Sequence, residues 1–472
     1  MVKFRKVALM VSDQGTYDTP SAQGISLDNV TRIMQNLGVS DIYVKQLAPN
    51  DNSKNQPYLG GHLTDLPFIP TGEITASATD SKKNSKTRIK YQASLDLSWV
   101  DAEGTVYPAP HSKLIYYPQY PEVRFSGFLR GSKVDASKWM APEKQGRSEG
   151  RWLILGVAKD EKIYAYLATP ESTLSIELGK ADYIEVSPKI WKLDVLHTAP
   201  KVSTRDALIS KLMEIHQMGW IPSQKLTSDM IFEPYKAPNG GGYTLEAMLG
   251  VSPNGIAEPD YLGWEVKQFG VTKFPTTGSK PTTLMTPEPN GGYYTTAGAI
   301  EFVKAYGYPD KSGKEDRINF GGKHLVGQVQ NLTNLRMELV GFDAETSSIT
   351  DASGAIALLD NKGEVTASWS FAKIMDHWKR KHSQAVYIPC MRRTVAGVHQ
   401  YHYGKDVELG TGTNFEMILS AMHLGTVYYD PGIKVEHAST EKPKIKRRSQ
   451  FRVNHKHLDT LYKSYDFVDV AV

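Results

Sequence analysis

Asp260, Glu265 and Lys267 lie in the run Glu258-Pro-Asp-Tyr-Leu-Gly-Trp-Glu-Val-Lys-Gln-Phe-Gly270, which puts two carboxylates and an ammonium within one short segment. Residues of these types at this spacing suit a magnesium-dependent phosphodiesterase, and so a nuclease. Magnesium takes hard oxygen ligands and keeps several waters, so two carboxylates, a backbone carbonyl and the scissile phosphate would fill its shell. Bound there, Mg2+ lowers the pKa of water and neutralises charge building on the phosphate. Lys267 would orient the attacking water or help to deprotonate it. The bare pattern Asp-x4-Glu-x-Lys is expected by chance on the order of 0.1 times in a chain of this length, and a surface strand with solvated charges fits the spacing equally well.

The elements that must position these groups are legible around them. In an extended segment alternate side chains share a face, so Glu265 and Lys267 point one way while Trp264 and Val266 enter the core. Asp260 arrives from the preceding bend, which Gly263 helps to form. Upstream, Ser203 or Thr204 caps a helix predicted to run through Met218, with Leu208, Leu212 and Ile215 as its core face; Gly219-Trp-Ile-Pro222 ends it. In Tyr243–Leu249 the buried stripe is Leu245, Met248 and Leu249, which leaves Glu246 beside it and, on periodicity alone, solvated.

Residues 1 to about 195 read as short strands between turns: Ile42–Lys45, Ala93–Leu97, Lys113–Tyr117, Trp152–Val157 and Ile163–Leu167. This predicts an all-β barrel or sandwich with one amphipathic helix at Leu27–Asn36, whose face carries Val30, Ile33 and Met34. Ser77–Lys90 is polar and lysine-rich and reads as a mobile loop or arm. Residues 203–326 and 327–472 mix helix and strand. The chain thus divides into three segments, at 1–195, 203–326 and 327–472, in line with a length of 472 residues.

Hydrophobic content of 40% and charged content of 22% are those of an ordinary globular protein. The net charge of +4 is mild, but Lys442-Pro-Lys-Ile-Lys-Arg-Arg448 gathers lysines with Arg447 and Arg448, and Arg452 and Lys456 follow. Such a cluster can contact phosphates, although many charge runs are only solvated. Cys390 is the sole cysteine, which excludes an intramolecular disulfide and fits a reducing, cytoplasmic setting. Cys390 itself reads as a buried small hydrophobe. No stretch approaches 18 consecutive apolar residues, and the start has no convincing cleavage site, so neither a membrane span nor a signal peptide is expected.

Gly219-Trp-Ile-Pro222, Gly242-Tyr-Thr-Leu-Glu-Ala-Met-Leu-Gly250, Glu258–Lys267 and Thr282-Thr-Leu-Met-Thr-Pro287 occur in the order and spacing of the MvaI/BcnI family of type II restriction endonucleases, relatives of the mismatch-repair nickase MutH, and residues 203–465 resemble that family. Phe302–Pro309, Arg317–Phe320 and Ser449–Val453 extend the resemblance. It implies an α/β PD-(D/E)xK catalytic lobe followed by a DNA-recognition lobe, with Asp260 and Glu265 as Mg2+ ligands, Lys267 as the catalytic lysine, and Glu246 as second metal ligand or water organiser. It also implies DNA contacts, for which Arg392, Arg393, His399, Tyr401, His402, Lys405, Arg447, Arg448 and Arg452 are available. Arginine donates two bonds to guanine O6 and N7, and histidine can donate one, while phosphate contact is the commoner use of any one basic residue. His399-x-x-His402 lacks the second ligand pair that zinc needs.

Ile42-Tyr-Val-Lys-Gln-Leu-Ala-Pro-Asn-Asp51, Gly60-Gly-His62 and Phe68-Ile-Pro70 are similar to the N-terminal effector domain of the restriction enzyme EcoRII, a DNA-binding pseudobarrel. The resemblance implies that residues 1–195 bind DNA, with Lys45, Arg88 and Arg124 as contacts and Lys82, Lys83, Lys86 and Arg130 as further basic residues. A dimerisation or scaffold module is the alternative for this unit. The expectation is a sequence-specific type II endonuclease acting on double-stranded DNA as a monomer or weak dimer, with a cognate DNA methyltransferase in the same system. The alternatives are a MutH-like nickase or modification-dependent nuclease, and a DNA-binding regulator whose nuclease fold is silent.

Overall fold

The structure is a computed structural model that describes residues 15–49, 56–80, 87–140, 149–193, 203–237, 239–252, 259–275, 278 and 280–471. Lys82, Lys83 and Lys86 lie outside the described residues. None of the described helices is long and apolar enough to cross a membrane.

The N-terminal unit is built on two sheets. Seven strands run in the order Tyr183–Ser187, Ile190–Leu193, Val39–Leu47, Arg151–Ala158, Ile163–Ala168, Leu97–Val100 and Val106–Pro108. Arg151–Ala158 is buried at every position, as a central strand covered on both faces must be. The second sheet orders Tyr58–Gly60, Glu122–Ser126, Lys113–Tyr117, Thr87–Ser94 and Thr75–Asp80. Helix Leu27–Asn36 has the predicted bounds; the Ser26 hydroxyl caps it by accepting from Asn29 N–H, and Val30 and Met34 are buried beneath it. Tyr17, Trp99 and Tyr166 pack edge to face in the core, with ring centroids 6.2 and 5.1 Å apart.

Of the polar stretch Ser77–Lys90, expected to be a mobile loop or arm, residues 77–80 and 87–90 are instead strand, in the antiparallel pair of Thr75–Asp80 with Thr87–Ser94, while 81–86 lie outside the described residues. Its lysines obscure an alternation in which Ile89, Tyr91 and Ala93 all point into the core.

The strand that carries the sequence motif, Glu265–Gly270, pairs in parallel with Gln384–Val395, Val266 opposite Val386 and Lys267 opposite Tyr387. Gln384–Val395 also pairs with Val398–Tyr403 and Asp406–Thr411, and Ile221–Pro222 and Ser464–Asp469 complete the sheet. Segments 384–411 and 464–469, expected among the recognition residues, are therefore strands of the sheet that holds Glu265. Helices Thr204–Gln217 and Gly240–Met248 belong with this sheet, and Leu208, Leu212, Ile215, Leu245, Trp264, Val266, Val386 and Ile388 form a core separate from the larger one. Ser203 caps the first of these helices as its sequence predicts.

The remaining residues build smaller sheets: Pro281–Met285 with Phe451–Asn454 and Val427–Tyr429; Arg317–Gly321 with Gly432–Glu436 and Lys444–Lys446; and Leu335–Val340 with Ala355–Leu359 and Val365–Ser370. Helix Phe371–His382 leaves the last of these, capped by Ser370, and its chain continues directly into Gln384–Val395 beside the motif strand.

Candidate active site

Asp260 is set by a two-residue reversal. Tyr261 and Trp264 exchange backbone hydrogen bonds of 3.0 and 2.8 Å, and the intervening Leu262 and Gly263 both have positive φ, 50° and 85°. Two consecutive positive φ values are the mark of a type I′ turn, which glycine tolerates and leucine does not favour. The turn brings Asp260 back beside its own strand, where its Oδ2 accepts from Val266 N–H at 2.9 Å. Burial, and next the Glu265 charge, push the Asp260 carboxyl up to about 6.

Glu265 is buried at 3% exposure between two ammoniums. Lys267 Nζ donates to its Oε1 at 2.8 Å, and Lys381 Nζ lies 3.5 Å from Oε2. Burial works to raise the Glu265 carboxyl, but the Lys267 charge, with Lys381, outweighs it and holds the group below its ordinary range. Oε2 is buried without a hydrogen-bond donor among the described residues.

Glu246 comes from helix Gly240–Met248. That helix packs tightly against its surroundings: a Cβ on Gly240 would fall 2.2 Å from Ser223 Oγ, and Tyr403 O–H donates to Gly241 O at 2.7 Å. Glu246 is half-buried, and its carboxyl is pushed up to about 7, first by burial and then by the charges of Asp260 and Glu265, with Lys381 and Lys267 opposing. Solvation on the helix surface, the reading from periodicity alone, does not describe a carboxyl that feels four charged neighbours in this way. The structure thus brings Asp260, Glu265, Lys267 and Glu246 into one cluster.

It adds two residues that the sequence did not single out. Lys381 and His382 end helix Phe371–His382, whose last turn reads Lys379-Arg380-Lys381-His382. Cations in a last turn are ordinary complements to the helix dipole, so this run carried no signal of a site more than a hundred residues away in sequence. His382 is fully buried, stacked on Trp378 with centroids 4.2 Å apart, and donates from Nε2 to Leu284 O at 2.8 Å. Burial, then the Lys267 charge, hold it neutral by pushing it down to about 3.

Among the described residues no three His, Cys, Asp or Glu side chains form a ready-made metal cage. Magnesium needs only one or two carboxylates, with water and phosphate completing its shell. The buried Glu265 Oε2 without a donor, and an Asp260 carboxyl raised by burial and by the Glu265 charge, are hard-oxygen acceptors of the kind such an ion needs.

The basic residues named from sequence separate by environment. Arg392 and Arg393 are exposed on the hairpin Gln384–Val395/Val398–Tyr403, where the Arg393 guanidinium lies 4.3 Å over the Trp220 ring and bonds Gln400. His399 Nδ1 is 2.9 Å from Thr394 Oγ1 on the same hairpin, and His402 stacks on His216. Tyr401, at 3% exposure, lies in the core of the sheet. Lys405 pairs with Asp469. Arg447 and Arg448 are exposed, while Arg452 is half-buried, paired with Asp430 at 2.7 Å and bonded to Pro281 O. Lys45 is buried at 8% exposure, its ammonium pushed down by burial to about 8. Arg124 pairs with Glu122 at 2.8 Å. Arg88 stands opposite Thr79 in the hairpin register. Sequence reading passed over Lys434, which sits directly across from Lys446 in the sheet. Like charges facing one another across strands destabilise unless an anion meets them.

The family model of the MvaI/BcnI restriction endonuclease family matches residues 209–462, more than half of the chain. Among solved structures, the chain is similar to the restriction endonuclease MvaI in complex with its cognate DNA substrate, at 17% identity and a TM-score of 0.42 over 57% of this chain and 99% of that one. It is also similar to MvaI in the absence of DNA, at 15% identity and a TM-score of 0.32 over 57% and 100%. No curated protein matches it. The motifs around Glu246 and Glu265 fall inside the matched span, and the chain belongs to the MvaI/BcnI restriction endonuclease family, which makes it a type II, site-specific deoxyribonuclease.

Proposed function

We propose that the chain hydrolyses double-stranded DNA at a specific site with Mg2+ held by Asp260 and Glu265. The observation that carries this reading is Glu265, a buried carboxylate with an ammonium at each oxygen, flanked by Asp260 and Glu246 carboxyls raised by burial and by neighbouring negative charge. A bound Mg2+ would supply neutralisation of the scissile phosphate and a more acidic water. Lys267, fixed by Glu265, orients that water for in-line attack on phosphorus. Glu246, with a carboxyl near 7, takes up or releases a proton close to the working pH. Lys381 adds positive charge facing the same carboxylate. The products are a 5′-phosphate and a 3′-hydroxyl.

Residues 203–326, together with strands 384–411 and 464–469, make the catalytic lobe, and the rest of 327–472 reads the target. Arg392, Arg393, His399 and His402 reach DNA from the hairpin Gln384–Val395/Val398–Tyr403 of the catalytic sheet. Arg447, Arg448 and the facing Lys434 and Lys446 meet phosphates. Membership of a restriction endonuclease family supports the duplex as substrate. Residues 1–195 are a DNA-binding effector unit of the EcoRII kind, and a cognate methyltransferase protects host sites.

Incubation of unmethylated phage DNA with the protein and magnesium, followed by sequencing of the ends, tests the reading. Discrete fragments that share one end sequence are expected. Nicks alone would move the assignment to a strand-specific nickase, and tight DNA binding without cleavage would overturn it in favour of a silent regulator.

A further inference from the structure

The last turn of helix Phe371–His382 faces two ways. Successive helical residues are about 100° apart around the axis, so Lys379 and Lys381 project to nearly opposite sides. Lys381 points at the active site, 3.5 Å from Glu265 Oε2. Lys379 points into the N-terminal unit, where its Nζ donates to Ile69 O at 3.1 Å and Thr71 Oγ1 at 3.2 Å. Arg380 Nη2 adds a bond to Thr71 O at 2.9 Å. One residue earlier, Trp378 Nε1 donates to Thr413 Oγ1 at 3.0 Å, and Thr64 of the N-terminal unit donates to Thr413 O at 2.6 Å. Ser383 Oγ closes the turn by donating to Lys379 O at 2.9 Å.

Lys379 is 3% exposed and has no carboxylate within ion-pairing distance among the described residues. A buried ammonium held only by neutral oxygens is an expensive way to fill space that an apolar side chain of the same length could fill. Its bonds do, however, fix the helix end against one short segment. A misplacement of about 1 Å at a catalytic group is enough to cost rate heavily, and this helix end carries both Lys381 and His382.

We propose that segment Ile69–Thr71 of the N-terminal unit, gripped by Lys379 and Arg380, positions Lys381 on Glu265. The unit is then a working part of the cleavage site, and a DNA contact that shifts it also shifts Lys381. Lys379 and Thr71 act as positioning residues. The inference rests on the catalytic roles proposed above and adds the element that sets them.

The test is a double-mutant cycle in the full chain. Single-turnover cleavage at saturating DNA and Mg2+ is measured for Lys379→Met, Lys381→Ala and the pair, beside DNA affinity and backbone hydrogen exchange over residues 378–384. Lys379→Met should slow cleavage about tenfold with DNA affinity unchanged, and the double variant should be no slower than Lys381→Ala alone. Amides at 380–384 should exchange faster in Lys379→Met. Thr71→Val, an isosteric change on the far side of the contact, should shift both readouts in the same direction by a smaller factor. Losses that multiply in the double variant, or unchanged exchange at 380–384, would overturn the proposal. If the wild-type protein does not cleave, the nuclease roles fail, while the exchange measurement still decides whether the N-terminal unit holds this turn.

Discussion

Replacing Glu246 by glutamine keeps the shape of the side chain and removes its charge. In the metal-free protein, burial and the charges of Asp260 and Glu265 raise this carboxyl from 4.5 to about 7. A carboxyl raised on folding favours the protonated native state. Its contribution is therefore fully present below the unfolded pKa and is lost as pH climbs through the folded one. At 1.36 kcal/mol per pH unit of displacement, the loss between pH 5 and pH 8 is about 3 kcal/mol. Asp260, raised to about 6, adds a loss of similar sign, coupled to the first because the two carboxyls repel. Thermal unfolding in EDTA at pH 5 and pH 8 should show the wild type losing stability across this window. Glu246→Gln should lose less, gaining about 3 kcal/mol over wild type at pH 8, several degrees in melting temperature. Added Mg2+ should rescue the wild type at pH 8 more than the variant. Equal pH slopes for the two proteins would refute the idea that Glu246 shares a crowded site with Asp260 and Glu265.

Gly263→Ala places a Cβ at a φ of 85°, which should cost about 1–2 kcal/mol and move Asp260, so cleavage should fall by more than DNA affinity does; an unchanged rate would detach the turn from the site. Arg392→Ala and Arg393→Ala should each weaken DNA binding and reduce the slope of log affinity against log salt by about 1 if they meet phosphates, as titrations at several salt concentrations would reveal. Lys45→Met, in a buried strand position, should leave DNA affinity unchanged, whereas a lowered affinity would return Lys45 to the contact surface.

The parts of the fold that were legible in the sequence are those set by local chemistry. Ser203 announces its helix because a hydroxyl satisfies an otherwise unpaired N–H, and Leu27–Asn36 is legible from its apolar face. Strands such as Lys113–Tyr117 and Ile163–Ala168 follow from β-branched and aromatic runs between turns. The turn before Glu265 was visible only as Gly263; that Leu262 also adopts a positive φ could not be read from its side chain. What stayed hidden depends on contacts between distant segments. Gln384–Val395 becomes a strand of the catalytic sheet because it pairs with Glu265–Gly270, and that pairing has no local marker. Lys381 and His382 end a helix whose basic last turn is ordinary and marks no site, and only the parallel pairing just after them carries that end to Glu265. Glu246 illustrates the opposite limit, since its periodicity argued for solvent while its three-dimensional neighbours are charged groups.

The most direct test of the central claim is a paired measurement on Lys267→Met: DNA affinity with Ca2+, a hard cation of the same charge, and the single-turnover cleavage rate with Mg2+. Affinity should stay within about twofold of wild type while the rate falls by about a thousandfold, the cost of removing one group aimed at the reacting centre. Cleavage at the wild-type rate would contradict that claim, because the ammonium beside Glu265 would then be a surface charge with no part in the chemistry.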